Sequence, residues 1–266
     1  MKKFLQRKLA LILGIFLIAL GAFFLYGDYV AGFLWQKYQT PFSLLFIRHN
    51  AVLASTIGSY YFDASRGHYD LRLAESAYKK TISIDPKILW GHYQLARIYF
   101  VEGHSEIALQ EINKELEANP ENKRSLYVRG LIYGYSDKLQ EAENDFRAFT
   151  QWSPKEWAGY NDLAWILLKE QKYDEVEKVV NKAFNEVYQG NNNPWLWNSL
   201  GVAQLNLKEY KAAEKSFTKA GELATKLTEE DWHRSYPGND PNQTTGGLKA
   251  FREAIKENLQ QARARQ

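Results

Sequence analysis

No cysteine occurs among the 266 residues, so neither a disulfide framework nor a thiolate metal site can form. Proline is scarce at seven residues, and no long Ser/Gly run is present. With abundant aromatics, this argues against extensive disorder. Recognisable chemistry is missing too. No P-loop, GxGxxG, GxSxG or HExxH pattern occurs, and His49, His68, His92, His104 and His233 are scattered without ligand spacing. Nucleophile, base and orienting residue cannot be named together. The expectation is a non-enzyme with no catalytic residues, no metal and no cofactor. His92 reads as a packed core histidine, and Glu229-Glu230-Asp231 as a solvated helix end.

Acidic residues are absent before the first apolar run, whereas Lys2, Lys3, Arg7 and Lys8 precede it. The formal net charge is +3; without those four, 30 basic residues face 31 acidic ones. The body is near neutral, and no basic stripe signals nucleic acid.

Residues 9–27, LALILGIFLIALGAFFLYG, carry no charge. Nineteen helical residues reach about 28 Å, close to a hydrocarbon core of about 30 Å. The basic flank (1–8) places the N-terminus in the cytoplasm and the rest on the exported side. The expectation is therefore a single-pass membrane protein, with Tyr26, Tyr29, Phe33, Trp35 and Tyr38 as an interfacial aromatic belt. A cleaved signal peptide is the alternative, with Val30-Ala31-Gly32 as a small-residue site. The run exceeds the 7–15 residues usual for such a peptide, which favours the anchor. Residues 28–54 read as a juxtamembrane helical segment. Within 42–57, Arg48 and His49 break the apolar run and favour a core-packing helix over a second span.

Pro86, Pro120 and Pro154 close turns spaced 34 residues apart. A fixed period of this size means a stacked repeat. Other residues fall into phase on these prolines: Ala74 and Tyr78; Leu95, Ala96, Tyr99, Ala108 and Ile112; Gly130, Tyr133, Ala142 and Phe146. A fourth unit carries Tyr160, Leu163, Ala164 and Ala183, departs at Val176, and ends in YQGNNN. The fifth carries Trp197, Leu200, Gly201, Ala213, Phe217 and Ala220, three residues late. The first is the most degenerate, with Phe62 where a small residue is expected. The pattern resembles the tetratricopeptide repeat, W-x₂-L-G-x₂-Y followed by Ala, Phe and Pro.

That resemblance implies an all-α helix-turn-helix solenoid of about five repeats over 55–227. Small residues at helix crossings let the two helices of a repeat approach. Ser153-Pro154-Lys155-Glu156 reads as a capping box opening a helix. Residues 228–247 are turn-rich and read as a loop, in which Asn242-Gln243-Thr244 fits a glycosylation acceptor. Residues 248–266 read as a capping helix, with Leu248, Phe251, Ile255, Leu259 and Ala262 on one stripe.

The first helices of such repeats line a concave face. Trp195 and Trp197 lie two residues apart, roughly 200° on a helix, so they cannot share one stripe. Trp197 takes the framework position inside its repeat, and Trp195 turns toward the concave face. The same logic selects Trp90, Tyr93, Gln94 and Arg97; Arg124, Tyr127 and Tyr135; Asn161, Asp162 and Trp165; and Asn198 and Ser199. Asparagine amides suit an extended peptide backbone, and the aromatics supply pockets. The expected partner is a protein or peptide segment in this groove. The open alternatives are a structural face, one filled by the chain's own segment, and a glycan- or polymer-binding module of the cell envelope. The Lys/Asn/Arg clamp by which some tetratricopeptide proteins hold acidic chaperone tails is not found in register. The layout resembles bacterial anchored tetratricopeptide proteins that serve secretion, envelope assembly or cytochrome maturation.

Overall fold

The computed structural model describes residues 12–14, 21, 25–63, 67–235 and 246–266, with 233–235 by backbone only. Among them every regular element is a helix. The expected membrane run 9–27 lies mostly outside the described residues, as does Asn242-Gln243-Thr244. Among those described, no helix is long and apolar enough to cross a membrane. The chain divides into two compact units, Met1–Ile98 and Tyr99–Gln266.

In the first unit, helix α1 is described over 25–38. A short 3₁₀ turn, Pro41–Leu45, precedes the antiparallel helices α2 (Ala51–Tyr61) and α3 (Leu71–Ile84). The first hairpin thus begins at Ala51, four residues earlier than the expected boundary at 55. The single helix expected over 42–57 is broken in two, because the Asp28 carboxylate accepts the N–H groups of Arg48 (2.8 Å), His49 (3.1 Å) and Asn50 (3.3 Å). Asn50 then caps α2 by accepting from the Leu53 N–H at 2.9 Å. A Cβ at residue 27 would lie 2.4 Å from the Phe46 carbonyl oxygen, so Gly27 permits this close approach.

The belt expected on α1 needs one correction. Tyr26, Tyr29, Phe33 and Tyr38 are exposed, but Trp35 is buried against Tyr60 and Tyr61, with ring centroids 5.1 and 6.2 Å away. Ala31 and Trp35 recur every four residues and form the face that docks on α2. A second correction concerns the phase of this hairpin. Gly58, not Phe62, is the small residue at the crossing, and a Cβ there would lie 2.9 Å from the Tyr78 ring. The connection 62–70 is longer than the three-residue turns 136–138 and 170–172 further on, which displaces the glycine from the 16-residue spacing.

Helix α4 (Gly91–Val101) contains the division between the units. The second unit continues with α5 (Ser105–Ala118), α6 (Arg124–Tyr135), α7 (Leu139–Trp152), α8 (Trp157–Lys169), α9 (Tyr173–Glu186), α10 (Pro194–Asn206) and α11 (Tyr210–Ala224). From α5 to α11 each helix packs on the next, and α8 also meets α10. Gly130 faces Phe146, and Gly201 faces Phe217, at distances that exclude a Cβ. One small residue against one aromatic sixteen residues on therefore closes each of these two hairpins. Asn193 caps α10 by accepting from the Leu196 N–H at 3.0 Å, with Pro194 at the first helical position.

The Ser153–Glu156 stretch does not open a helix. It is a Pro turn after α7, and α8 starts at Trp157 with no side-chain cap. The region expected as a loop holds a short helix, α12 (Glu229–Ser235). Its cause is a reciprocal cap: the Asp231 N–H donates to Thr228 Oγ1 (3.1 Å), and Asp231 Oδ2 accepts the Thr228 N–H (2.9 Å). Helix α13 (Gly247–Ala264) lies along α11, burying Leu248, Ile255 and Ala262 on the expected stripe. Arg252 ties the two together by donating to the Ala224 carbonyl at 3.0 Å and the Leu227 carbonyl at 2.8 Å.

The turns inside the repeats also keep register. Gly103, Asp137, Gln171 and Lys208 all have φ between 60° and 81°. The next N–H of each turn donates back across the turn, as His104 does to Tyr99 and Glu209 to Gln204, both at 2.8 Å. This is a Schellman closure, whose left-handed residue favours glycine. Lys208→Gly is expected to stabilise the protein by about 0.5–1 kcal/mol, by relieving the side-chain strain. An unchanged or lower urea midpoint would contradict this turn geometry.

Candidate functional site

In the first unit, the expected residues gather at the start of α4. Trp90 lies just before the helix in the left-handed region at φ 76°, costly for a bulky residue. Its ring meets that of Tyr93 edge-on at 4.9 Å. The Arg97 guanidinium lies 4.8 Å from the Phe62 ring and 5.8 Å from Tyr93, and donates to Gln94 Oε1 at 2.9 Å. Phe62 escaped the sequence reading as a member of this group.

In the second unit, the face shared by α6 and α8 carries a polar core edged by aromatics. Tyr127 is buried against Phe146 and Phe149, and its hydroxyl donates to Asp162 Oδ2 at 2.7 Å. Asn161 Nδ2 donates to Asp162 Oδ1 at 2.9 Å. Burial pushes the Asp162 carboxyl up to about 6, against the opposing pull of these two donors. Trp165 packs over Gly134, where a Cβ would come within 2.7 Å of the indole. Tyr135, exposed, sits with its ring centroid 5.1 Å from Trp165. Desolvation raises the Tyr135 phenol pKa, and the Asp162 charge adds to the rise. Arg124 stands apart from this group, in an ion pair with Glu156. Asn198 belongs to α10, and its Oδ1 is buried without a hydrogen-bond partner among the described residues.

Asp162 has a consequence for stability. Its folded pKa is raised from 3.8, so its favourable contribution is complete below pH 3.8 and disappears as pH rises through about 6. Asp162→Asn keeps an acceptor for Tyr127 and removes the desolvated charge. The variant is expected to be more stable than wild type at pH 7, by up to about 3 kcal/mol. The advantage should fade between pH 6 and 4, as measured by urea unfolding. A variant less stable at pH 7 would contradict this account of the carboxyl.

Of the two expected tryptophan facings, that of Trp195 is corrected. Trp195 is 7% exposed. It stacks on Trp157 (centroids 5.3 Å, 20°) and on Phe251 (5.6 Å, 16°), with Trp232 at 6.1 Å. It does turn away from its own hairpin, but α12 and α13 cover it. Trp197 keeps its framework position, partly buried against the core of its own hairpin that holds Ala213 and Phe217; it also meets Phe184 at 4.6 Å, and its Nε1 donates to the Asn191 carbonyl at 2.7 Å. The first-helix face is thus covered by the chain's own C-terminal segment at Trp195, while Tyr135 stays exposed beside Trp165. Trp157, Trp232 and Phe251 were missed as members of this face. The one sequence signal was a tryptophan within the otherwise polar TEEDWHRS.

Among the described residues no group of His, Asp and Glu is arranged to hold a metal. Two acids of α7, Glu143 and Asp145, are structural. Asp145 takes two hydrogen bonds from Arg129, at 2.7 and 2.8 Å. Glu143 accepts from Arg147 and from Lys172 Nζ at 2.7 Å.

The tetratricopeptide repeat family model matches residues 123–156 and 196–226, the hairpins α6–α7 and α10–α11. Cellulose synthase operon protein C of Pseudomonas fluorescens (strain SBW25) is 27% identical over 128 residues, 48% of this chain and 10% of its own length. The FK506-binding protein-like protein of Mus musculus is 29% identical over 80 residues, 30% of this chain and 23% of its own. The chain thus spans under a quarter of either relative. Among solved structures, MamA superposes with a TM-score of 0.55 at 21% identity, over 65% of this chain and 93% of its own. YrrB, described as a TPR protein with an unusual peptide-binding site, gives 0.55 at 16%, over 70% and 92%. Pseudomonas aeruginosa pilF gives 0.58 at 17%, over 81% and 97%. These likenesses establish an all-α tetratricopeptide-like fold.

Proposed function

We propose that this chain is a membrane-tethered, non-catalytic scaffold that holds a segment of a partner protein on the first-helix face of α6 and α8. The carrying observation is the Tyr127–Asp162–Asn161 hydrogen-bonded group edged by Tyr135 and Trp165. Such a face offers amide and carboxylate groups to a peptide backbone and ring surfaces to its side chains. Tetratricopeptide-type folds serve protein binding, and YrrB is described by its peptide-binding site. The tether rests on the uncharged run 9–27 with its basic flank and on the exposed Tyr26, Tyr29, Phe33 and Tyr38 that follow. The N-terminus then lies in the cytoplasm and the repeats on the exported side.

A glycan- or polymer-associated module of the cell envelope is the second reading. The partial likeness to a protein of a cellulose synthase operon favours it, as do ring surfaces next to polar groups.

Two experiments test the first reading. Alkaline carbonate should leave the protein in the membrane fraction; release would remove the tether. Crosslinking in cells followed by detergent extraction should recover a partner with wild type and lose it with the Asn161→Ala, Asn198→Ala double variant. The same partner held by both proteins would move the interaction off this face. Binding of oligosaccharides instead, seen as a tryptophan fluorescence change, would favour the second reading.

A further inference from the structure

Asp162 is an odd residue for its place. The repeat does not ask for a charge there, since Gln94, Val128 and Ser199 occupy the same position in neighbouring units, 34, 34 and 37 residues apart. Nor does a cation pair with it among the described residues. Its partners are the neutral donors Tyr127 and Asn161, whereas the buried acids Glu143 and Asp145 on α7 are each held by a cation. Desolvating a half-buried carboxylate without a cation is costly, and an apolar or amide side chain would avoid that cost. Each carboxylate oxygen accepts one hydrogen bond, from Tyr127 or from Asn161, and has the capacity for a second. The neighbouring rings add a second feature. Tyr135 and Trp165 meet at 46° with centroids 5.1 Å apart, and Tyr135 is 63% exposed. Lys169 Nζ already lies 5.5 Å from the Trp165 centroid, tied to Asp137 and the Gly134 carbonyl, so these rings accept a cation, and the exposed Tyr135 ring beside the anion suits a further one whose stem is apolar. One repeat further on, Asn198 Oδ1 is a buried acceptor without a hydrogen-bond partner among the described residues.

We propose that the Asp162 carboxylate, with Tyr135 and Trp165, receives a lysine or arginine side chain of the bound partner segment. This rests on the groove reading above and adds the partner's chemistry: a basic, not an acidic, segment. Arrival of the cation supplies the missing counter-charge, and Tyr127 and Asn161 hold the carboxylate in place for it. The raised Asp162 pKa accords with a site that is complete only when occupied.

The test uses the purified full chain in detergent and an array of random-sequence synthetic decapeptides. Wild type is expected to select peptides enriched in lysine or arginine. Replacing that residue by norleucine in the peptide, or Asp162 by asparagine in the protein, should each weaken binding about tenfold or more, as for a hydrogen bond to a charged group. Combining the two should add little. Asp162→Asn keeps an acceptor for the Tyr127 hydroxyl, and its circular dichroism spectrum should match that of wild type. Peptides lost on Trp165→Ala yet indifferent to Asp162→Asn, or without basic enrichment, would overturn the proposal and leave the groove reading standing. Peptide binding indifferent to both Trp165→Ala and Asn161→Ala, or absent altogether, would overturn both.

Discussion

Trp195→Ala is expected to lower stability by about 3–5 kcal/mol, the usual cost of deleting a buried large aromatic. Trp197→Ala should cost less, about 2 kcal/mol, since it removes a partly buried ring and one hydrogen bond. The order follows from what each ring touches. Trp195 lies between Trp157 and Phe251, with Trp232 alongside, so one deletion opens a cavity shared by α8, α10, α12 and α13. Hydrogen exchange should rise in α13 at the same time, because Phe251 loses its stacking partner. Trp197 leans on Phe184 at the end of α9 and stays partly in water. Denaturant titration of both variants decides the matter. A larger loss for Trp197→Ala would mean that the C-terminal segment does not cover the face.

The second large effect concerns Glu143. Desolvation opposes its ionisation, but hydrogen bonds from Lys172 and Arg147 prevail and hold its pKa at about 2. A depressed folded pKa contributes stability that is present above the unfolded value near 4.5 and is lost as pH falls toward 2. The full contribution is about 3 kcal/mol. Glu143→Gln should therefore be destabilised by roughly that amount at pH 7 and converge on wild type near pH 2. Asp162 acts with the opposite sign, gaining stability below pH 6, so the comparison is best made in the Asp162→Asn background. Parallel pH profiles with and without the Glu143→Gln substitution would sink this assignment, because the charge would then contribute nothing.

The repeat was readable from residues because its determinants are local. The Pro turns at 86, 120 and 154, the Gly130–Phe146 and Gly201–Phe217 pairs, and the Leu248–Ile255–Ala262 stripe depend on spacings that a helix imposes. What escaped depends on distant partners. Burial of Trp195 comes from Trp232 and Phe251, 37 and 56 residues away in sequence. Glu156 looked like a cap for its own helix, yet it pairs with Arg124 across 32 residues. Gly58 was missed because the long 62–70 connection breaks the spacing that identifies its equivalents. At the candidate site, the sequence named Tyr127, Asn161, Asp162 and Trp165 as one face. It gave no sign that Tyr127 and Asp162, 35 residues apart, share a hydrogen bond or that Asp162 lacks a cation.

The central claim is that the α6–α8 face, and not the outer helices, holds the partner. The most direct measurement places a photo-activated crosslinking amino acid at Tyr135 on that face and, separately, at Lys178 on the exposed surface of α9. Irradiation of living cells should yield an adduct from position 135 that disappears when Trp165→Ala is added, and none from position 178. An adduct from position 178 alone, or one from position 135 that ignores Trp165→Ala, would contradict the account.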